Sequence, residues 1–287
     1  MHMAGGYPIG QPPVSPGAQS AGPNTRLMWV LIGAGVFISA VVVVASFYVV
    51  GRFVGSVRAE VSRQTLAREY DDYYEGYELP NEPMFSPATT PMERVGNSTR
   101  AMLRHLLTAQ AYAAEVEAMY RENAAYSYAS FASEAKFRRA LELLDSLAEE
   151  YTNVAEAHAA VPTTFLAEVR KVATDEESQR FFKEQERFHR EEAEVYAEES
   201  KIIHNIVTLE KERANLLWAN RRHLEEDRYG YATLKQSAPK SAKLRLVTLD
   251  SLINEQAKLR KELQRRLRGA FNEFYYTITG QREDFVD

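Results

Sequence analysis

The distribution of apolar and polar positions divides the chain into two parts of different character. Residues 27–50 (LMWVLIGAGVFISAVVVVASFYVV) form a run of 24 residues without a charge. At about 1.5 Å of rise per residue, a helix of this length exceeds the roughly 30 Å hydrocarbon core of a bilayer. Trp29 and Tyr48 lie near its two ends, where interfacial aromatic side chains are favoured. The run predicts one transmembrane helix, with boundaries at residues 27–51.

Two alternatives to an anchor are weaker. A buried helix of a water-soluble protein rarely has so long a run without charge. A cleavable signal peptide has an apolar region of about 7–15 residues that ends at a small-residue cleavage site. The run here is longer, and no Ala-x-Ala triplet closes it. An uncleaved anchor is therefore the favoured interpretation.

The second pattern is a seven-residue repeat of apolar side chains in the C-terminal half. Asp175, followed by two glutamates, predicts the start of its helix. The helix is expected to run to about Leu234, a length on the order of 90 Å at 1.5 Å per residue. A strict repeat of seven predicts a coiled-coil seam, since straight helices drift by about 20° per heptad. The seam positions are Phe181, Phe188, Val195, Ile202, Leu209 and Leu216.

Shorter signals predict the remaining helices. Thr90-Pro91-Met92-Glu93 has the composition of a capping box with proline at the first helical position. Further helices are predicted through Phe137 and Tyr151, from 165 to 173, and from 242 to 278. A short turn at 237–241 favours antiparallel packing of the last two long helices. No strand-like alternation is apparent. The predicted fold class is all-α: one N-terminal transmembrane helix followed by an elongated antiparallel helical bundle or coiled coil.

The expected organisation follows from these elements. Residues 1–26 are a Gly/Pro-rich tail expected to be disordered, residues 91–279 are the helical domain, and residues 280–287 are a C-terminal tail. Residues 52–90 are read as a helical neck followed by an acidic, Tyr- and Pro-rich linker. Its segment EYDDYYEGYELPNEP (69–83) has two interpretations: a docking or tyrosine-phosphorylation segment, or an acidic linker whose tyrosines rest on neighbouring helices. The second is favoured, because acidic linkers are common.

Composition narrows the function classes. The absence of cysteine excludes disulfides, thiolate zinc sites and a cysteine nucleophile. A net charge of −5 argues against a general nucleic-acid-binding face. Four arginines follow the apolar run and one precedes it, so the positive-inside rule predicts a cytoplasmic C-terminal domain. The sequon Asn97-Ser98-Thr99 would matter only in the opposite orientation. The arginines are Arg52, Arg58, Arg63 and Arg68 after the run and Arg26 before it.

One spacing suggests a metal site. Glu186 and His189 form the E-x-x-H pair used by di-iron helical bundles, which need two such motifs and two further glutamates. The sequence has only one such pair, and Glu186 lies more than 90° from the centre of the apolar stripe. A surface glutamate and a histidine at the edge of the seam are therefore favoured. The sequence predicts no catalytic residues, no metal and no cofactor.

The sharpest charge feature is a basic stretch near the C-terminus. It could contact anionic lipid headgroups or an acidic partner. Alternatively, it pairs with glutamates of the preceding long helix, including Glu191, Glu192, Glu198 and Glu199, and this interpretation is favoured. The residues of the stretch are Lys258, Arg260, Lys261, Arg265, Arg266 and Arg268.

Two functions remain open. The favoured one is a non-enzymatic, membrane-tethered coiled-coil scaffold or adaptor that holds a protein partner or self-assembles. The alternative is a ligand- or metal-responsive helical bundle, acting as a sensor or cofactor-binding protein. That alternative predicts an inward-facing cluster of Glu and His, or a pocket among Tyr112, Tyr120, Tyr126 and Tyr128. The seven-residue pattern is generic to coiled coils and identifies no family.

Overall fold

The computed structural model describes residues 57–58, 60–122 and 127–279. The chain divides into two units, Met1–Ser56 and Val57–Asp287, and all described residues belong to the second. The predicted anchor, the N-terminal tail and the C-terminal tail lie outside the described residues. Within the described ranges, no helix combines the length and apolarity needed to cross a bilayer.

The described unit consists mainly of six α-helices, which confirms the all-α prediction at the level of fold class. Helix α1 covers residues 60–74. It is followed by α2 (Pro91–Glu122), a 3-10 helix (Tyr128–Ala132), α3 (Glu134–Ala160), a π-helical turn (Val161–Phe165) and α4 (Leu166–Val172). The long helices α5 (Glu176–Ala219) and α6 (Lys240–Thr279) are separated by two short strands, β1 (Leu224–Glu226) and β2 (Ala232–Leu234).

Two predicted helix starts are confirmed by their capping hydrogen bonds. The Thr90 hydroxyl accepts from the Glu93 backbone N–H at 3.2 Å, and the Glu93 carboxylate accepts from the Thr90 N–H at 3.0 Å. At the start of α5, the Asp175 carboxylate accepts from the Ser178 N–H at 2.7 Å. Each cap satisfies backbone donors that a first helical turn leaves without partners. The local sequence therefore determines where α2 and α5 begin.

The predicted end of α5 is wrong, as is the expectation of no strands. The helix ends at Ala219, and the chain then forms an antiparallel hairpin in which Leu224 pairs with Leu234. Gly230 has a φ of +85°, a conformation that is easily adopted only without a Cβ. An Asp227 carboxylate oxygen accepts from the N–H groups of Tyr229 and Tyr231 at 2.8 and 2.9 Å. This turn chemistry stabilises the hairpin instead of further helix.

Helices α5 and α6 are antiparallel, although a β-hairpin connects them and not the predicted short turn. Ion pairs that advance along α6 from Asp250 to Glu273 run in the opposite direction along α5, from Arg213 to Arg187. The ion pairs are Arg245–Glu212 at 2.5 Å, Asp250–Arg213 at 2.7 Å, Arg260–Glu199 at 2.7 Å and Glu273–Arg187 at 3.1 Å. The apolar face of α5 is therefore covered at least in part by the same chain.

Burial follows the predicted seam positions only over the first half of α5. Phe181, Phe188 and Val195 are buried, whereas Ile202, Leu209 and Leu216 are only partly buried. In the second half, the buried apolar positions are Ile203, Val207, Ala214 and Leu217. Seven residues fall short of two full turns by about 20°, so the contact line moves to neighbouring positions along the helix. The most deeply buried positions in the second half of α5 are therefore not the predicted heptad positions 202, 209 and 216.

The expected neck and linker is part of the folded unit. Helix α1 continues through the acidic Tyr-rich segment to residue 74, and Leu66, Tyr70 and Tyr73 are almost completely buried. The compact unit begins at Val57 and not at the predicted boundary of residue 91. For Tyr70 and Tyr73 the structure favours contact with neighbouring helices over exposure as modification sites, whereas Tyr77 is 62% exposed.

The core consists of two apolar clusters. One contains Leu106, Val161, Phe188 and Phe274, and the other contains Ala113, Val154, Ile203 and Leu246. Between these clusters, α2, α3 and α5 contribute polar side chains to the interior. This polar zone is the feature of the fold that requires a functional explanation.

Candidate ligand-binding site

A polar stripe on α5 forms the centre of this zone. Its residues recur at intervals of three or four, so they share one face of the helix. Gln185, His189, Glu192 and Glu199 are each no more than 5% exposed, and Tyr196 is partly buried. Buried polar groups are costly unless they have hydrogen-bond partners. The partners come from α1, α2, α3 and α6.

Glu192 is the most highly connected of these residues. One carboxylate oxygen accepts from the Tyr73 hydroxyl at 2.7 Å, and the other accepts from His189 Nδ1 at 2.6 Å. Nδ1 of His158 lies 3.4 Å from the same second oxygen, without hydrogen-bond geometry. Burial by itself would raise the pKa of Glu192, but the two histidines outweigh it and hold the pKa well below its ordinary range. Glu192 is therefore a buried carboxylate.

A chain of hydrogen bonds orients His189. Gln185 Nε2 donates to the Tyr70 hydroxyl at 2.7 Å and to the Thr99 hydroxyl at 2.8 Å. The Tyr70 hydroxyl lies 2.9 Å from His189 Nε2. Because the Tyr70 oxygen accepts from Gln185, its proton is available to His189 Nε2, and His189 Nδ1 donates to Glu192. This assignment gives each of these contacts one donor and one acceptor.

Gln110 connects α2 to the same cluster. Its Nε2 lies 3.2 Å from the Tyr73 hydroxyl, 2.9 Å from the Tyr196 hydroxyl and 3.2 Å from His158 Nε2. The rings of His158 and Tyr196 stack with centroids 3.8 Å apart. Side chains from α1, α2, α3 and α5 thus meet in one network, which fixes the relative positions of these four helices.

A second polar layer lies one heptad further along the bundle, about 10 Å away at 1.5 Å per residue. Arg260 of α6 donates to Glu199 at 2.7 Å and approaches Glu117 at 3.4 Å. Tyr151 donates to Glu117 at 2.8 Å, and the Arg260 guanidinium lies over the Tyr151 ring. Burial would raise the pKa of Glu117, but the Tyr151 hydrogen bond and the two arginines nearby lower it. This layer attaches α6 to the rest of the bundle.

Beside the first layer, α6 leaves a cleft. Between Leu249 and Phe271 this helix has no fully buried side chain. The cleft has a volume of about 800 Å³ and reaches the buried network at Glu192. Such a volume falls within the range of small-molecule sites. It is lined by Tyr73, Tyr74, Gln110, Glu192, Tyr196, Lys261, Gln264, Arg265, Leu267 and Arg268.

The structure divides the predicted basic stretch into two groups. Arg260 and Arg266 bind glutamates, with Arg266 contacting Glu191, Glu194 and Glu198 at 3.2–3.5 Å. The preferred interpretation, pairing with the preceding helix, is correct for these two. The other group, Lys261, Arg265 and Arg268, lines the cleft, and Lys258 is exposed elsewhere on α6. Glu192, expected among the partners of the stretch, binds the histidines and Tyr73 instead.

The tyrosines of the cleft carry neutral hydroxyls. Burial raises the pKa of Tyr73 and Tyr196 well above the ordinary value, and the charge of Glu192 raises it further. Burial also raises the pKa of Tyr74, although a hydrogen bond from Arg268 acts in the opposite direction. At neutral pH these hydroxyls are therefore hydrogen-bonding groups without charge.

The E-x-x-H pair does not form a site. The Glu186 carboxylate binds Arg170 and Arg190 at 3.2 and 2.9 Å, whereas His189 is buried and directed to Glu192. The expectation that His189 lies at the seam edge is corrected, because Tyr70 and Glu192 give its ring buried partners. Across the part of the chain that the structure describes, no group of three or more His, Asp or Glu side chains could hold a metal ion.

The predicted tyrosine pocket is also absent from the described part of the chain. Tyr112 is 58% exposed, Tyr128 is 39% exposed, and Tyr120 belongs to the distal apolar cluster. Tyr126 lies outside the described residues. The inward-facing cluster of Glu and His that the alternative hypothesis requires does exist, but it is formed by His158, His189 and Glu192.

The sequence contained a signal for this cluster. Positions 185, 189, 192, 196 and 199 have the three- and four-residue spacing of a buried helical face, but their polar character made them appear solvated.

No protein-family model, curated protein or solved structure matches this chain. Function is therefore inferred from the residues of the site.

Proposed function

We propose that this chain is a membrane-tethered helical bundle that binds a small ligand in the cleft between α6 and the α1–α2–α5 side of the bundle. The observation that carries the proposal is the opening of this cleft onto the buried Glu192 network. Functional sites in proteins combine a concave pocket with a few convergent polar groups whose pKa values are perturbed. The cleft has each of these properties.

Helix α1 is the element through which binding would be transmitted. Tyr73 both lines the cleft and donates to Glu192, so a ligand that contacts this wall contacts α1 directly. In the sequence, α1 closely follows the proposed anchor, residues 27–50. The anchor rests on the charge-free run and its interfacial aromatics. A ligand-dependent shift would therefore occur in the helix that next follows the proposed anchor in the sequence.

Native mass spectrometry of the full chain tests ligand binding. The protein, in mild detergent, is equilibrated with a low-molecular-mass extract of its native cells. We expect a small-molecule adduct on the wild-type chain that is lost in Gln264→Trp, which fills the cleft, and retained in Asn254→Trp. Asn254 is exposed on the same helix but does not line the cleft. Equal adducts on all three proteins, or none on the wild type, would overturn the proposal.

The arginines that follow the anchor support a cytoplasmic location for the domain. Because the chain has no cysteine, a single reporter at the exposed Ser251 gives an unambiguous readout. Ser251→Cys in intact cells is expected to resist a membrane-impermeant maleimide and to react after lysis. Labelling of intact cells would place the domain on the outer side.

A second candidate is a membrane-tethered coiled-coil scaffold or adaptor that holds a protein partner or self-assembles. The observation that favours it is apolar exposure on α6: Leu244 and Val247 are 70% and 66% exposed, and Leu259 is 44% exposed. Exposed apolar side chains grouped on one helix are typical of interaction surfaces. Sedimentation of the full chain in detergent, with Val247→Glu as the variant, tests it. Monomeric wild-type protein that recovers no partner would contradict this function.

A further inference from the structure

We infer that the ligand of the cleft is a small polyvalent oxyanion, that is, a molecule carrying at least two negative charges on phosphate or carboxylate groups. This inference rests on the proposed function and specifies its ligand class. It is carried by three cationic side chains that α6 contributes to a single cleft, Lys261, Arg265 and Arg268.

The charge balance of the cleft is positive. Glu192 is the only carboxylate among its lining residues, and it is already engaged by Tyr73 and His189. Arg268 is held by Tyr74, which fixes one cationic group at the wall. Among the ion pairs within the described ranges, none involves Lys261 or Arg265. These two cations therefore remain available to a ligand, whereas Arg260 and Arg266 on other faces of α6 are neutralised.

The spacing of the cations determines the size of the anion. Positions 261, 265 and 268 follow one face of α6 and extend over about 10 Å at 1.5 Å per residue. A ligand with one charged group can contact only part of this row of cations. A ligand with two or more charged groups can contact all three cations. Guanidinium groups match carboxylate and phosphate oxygens with paired hydrogen bonds, and lysine adds a point charge.

Apart from Glu192, whose carboxylate is held by Tyr73 and His189, the opposite wall offers uncharged groups that complement such a ligand. The hydroxyls of Tyr73 and Tyr196 are uncharged, and Gln110 lies behind them. Leu267 and the Tyr74 ring provide apolar surface, with Tyr74 held by stacking on Phe271 at 4.1 Å. The cleft thus combines a row of three cations with an aromatic, hydrogen-bonding wall that contains one carboxylate, Glu192.

Thermal unfolding of the full chain with defined anions tests the inference. The protein is placed in phosphatidylcholine nanodiscs at constant ionic strength, and pyrophosphate, citrate or chloride is added. Pyrophosphate and citrate are expected to raise the unfolding midpoint, and chloride is not, since binding to the folded state stabilises it by mass action. Arg265→Gln and Lys261→Gln should lower the apparent affinity for pyrophosphate at least several-fold. Lys258→Gln, with the same charge change outside the cleft, should not.

A second arm distinguishes a free anion from a lipid headgroup. Nanodiscs in which phosphatidic acid replaces part of the phosphatidylcholine are compared without added anion. If a rise of the midpoint that depends on Lys261 and Arg265 occurs in this arm alone, the oxyanion is a lipid headgroup. If it occurs in the first arm alone, the oxyanion is a soluble molecule. The inference is overturned if neither arm raises the unfolding midpoint. It is also overturned if Arg265→Gln responds to the anion as strongly as the wild type and Lys258→Gln do.

The two experiments distinguish failure of the anion inference from failure of the proposed ligand-binding function. An adduct from the cell extract that carries no negative charge, bound in the cleft by the Gln264→Trp criterion, would leave the ligand-binding function intact and refute the anion class. Absence of any adduct together with absence of any anion response would refute both.

Discussion

The Tyr73 hydroxyl donates to the Glu192 carboxylate at 2.7 Å, across 119 residues of sequence. Both groups are almost completely buried, and both line the same cleft. The bond attaches α1 to the centre of α5 at the point where the interior changes from apolar to polar. The position of α1 is therefore linked to the wall of this cleft.

Loss of this bond should measurably destabilise the domain. Tyr73→Phe leaves Glu192 without one of its donors, and a buried hydrogen bond to a charged group contributes about 1.5–3 kcal/mol. We expect the free energy of unfolding, from urea titration of the full chain in detergent, to fall by about that amount. Tyr77→Phe, in the same segment but exposed, should change it by less than about 0.5 kcal/mol. Equal effects of the two variants would contradict the assigned network.

The cap of α2 predicts a dependence of stability on acid pH. Burial raises the pKa of Glu93, but hydrogen bonds from Arg58 and from the Thr89 and Thr90 backbones prevail and lower it from 4.5 to about 2. A carboxyl whose folded pKa is depressed contributes stability above its unfolded pKa, and this contribution is lost as pH falls through the folded pKa.

Glu93→Gln should therefore lower the free energy of unfolding by about 0.5–2 kcal/mol at pH 7. The difference from wild type should narrow as the pH is lowered from 4.5 towards 2. Glu78→Gln, an exposed glutamate outside the cap, provides the comparison. A difference between Glu93→Gln and wild type that does not vary over this pH range would show that the Glu93 charge has no capping role.

Two arginines of the basic stretch should differ in their contribution to stability. Removal of Arg260 leaves the buried Glu199 without its cation, and we expect Arg260→Gln to cost about 1–3 kcal/mol. Arg266 contacts three glutamates, but its side chain is 39% exposed, so Arg266→Gln should cost less than about 1 kcal/mol. Chemical denaturation of both variants measures the contrast. A larger loss for Arg266→Gln would contradict the conclusion that Arg260 pairs with a buried glutamate and Arg266 with exposed ones.

Two helical glycines should respond in opposite directions to alanine. A Cβ at Gly96 would lie 2.8 Å from the Phe85 ring, and Asn97 fixes the Phe85 backbone through hydrogen bonds at 2.8 and 2.9 Å. The energetic cost of overpacking exceeds the stabilisation from alanine's higher helix propensity, so Gly96→Ala should lower the free energy of unfolding by about 1–2 kcal/mol. A Cβ at Gly269 meets nothing within 4 Å, and Gly269→Ala should add about 0.5–1 kcal/mol. Thermal melts of the two variants should shift in opposite directions; stabilisation by Gly96→Ala would contradict the close approach.

Local chemistry made part of this fold predictable. The capping groups at Thr90 and Asp175 act within three residues, so the starts of α2 and α5 follow from their immediate sequence. The same reasoning failed at the end of α5, because the Asp227–Gly230 turn stabilises two strands of only three residues each. These strands are too short to show alternation.

The candidate site was not predictable, because its residues acquire their partners only through tertiary structure. Tyr70 and Tyr73 stand among acidic residues and appear solvated, yet their partners His189 and Glu192 are both 119 residues away in sequence. The stripe from Gln185 to Glu199 had the spacing of a buried face and the polarity of an exposed one. Only the donors from α1, α2 and α6 resolve that conflict in favour of burial.

Hydrogen exchange of the full chain in nanodiscs, with and without the low-molecular-mass extract, tests the central claim most directly. If a ligand in the cleft connects α6 to α1, amides near residues 70–77 and 261–268 should gain protection together in the wild type. Gln264→Trp should abolish that gain. Unchanged exchange in both segments, or protection that persists in Gln264→Trp, would contradict the assignment of this cleft as the functional site.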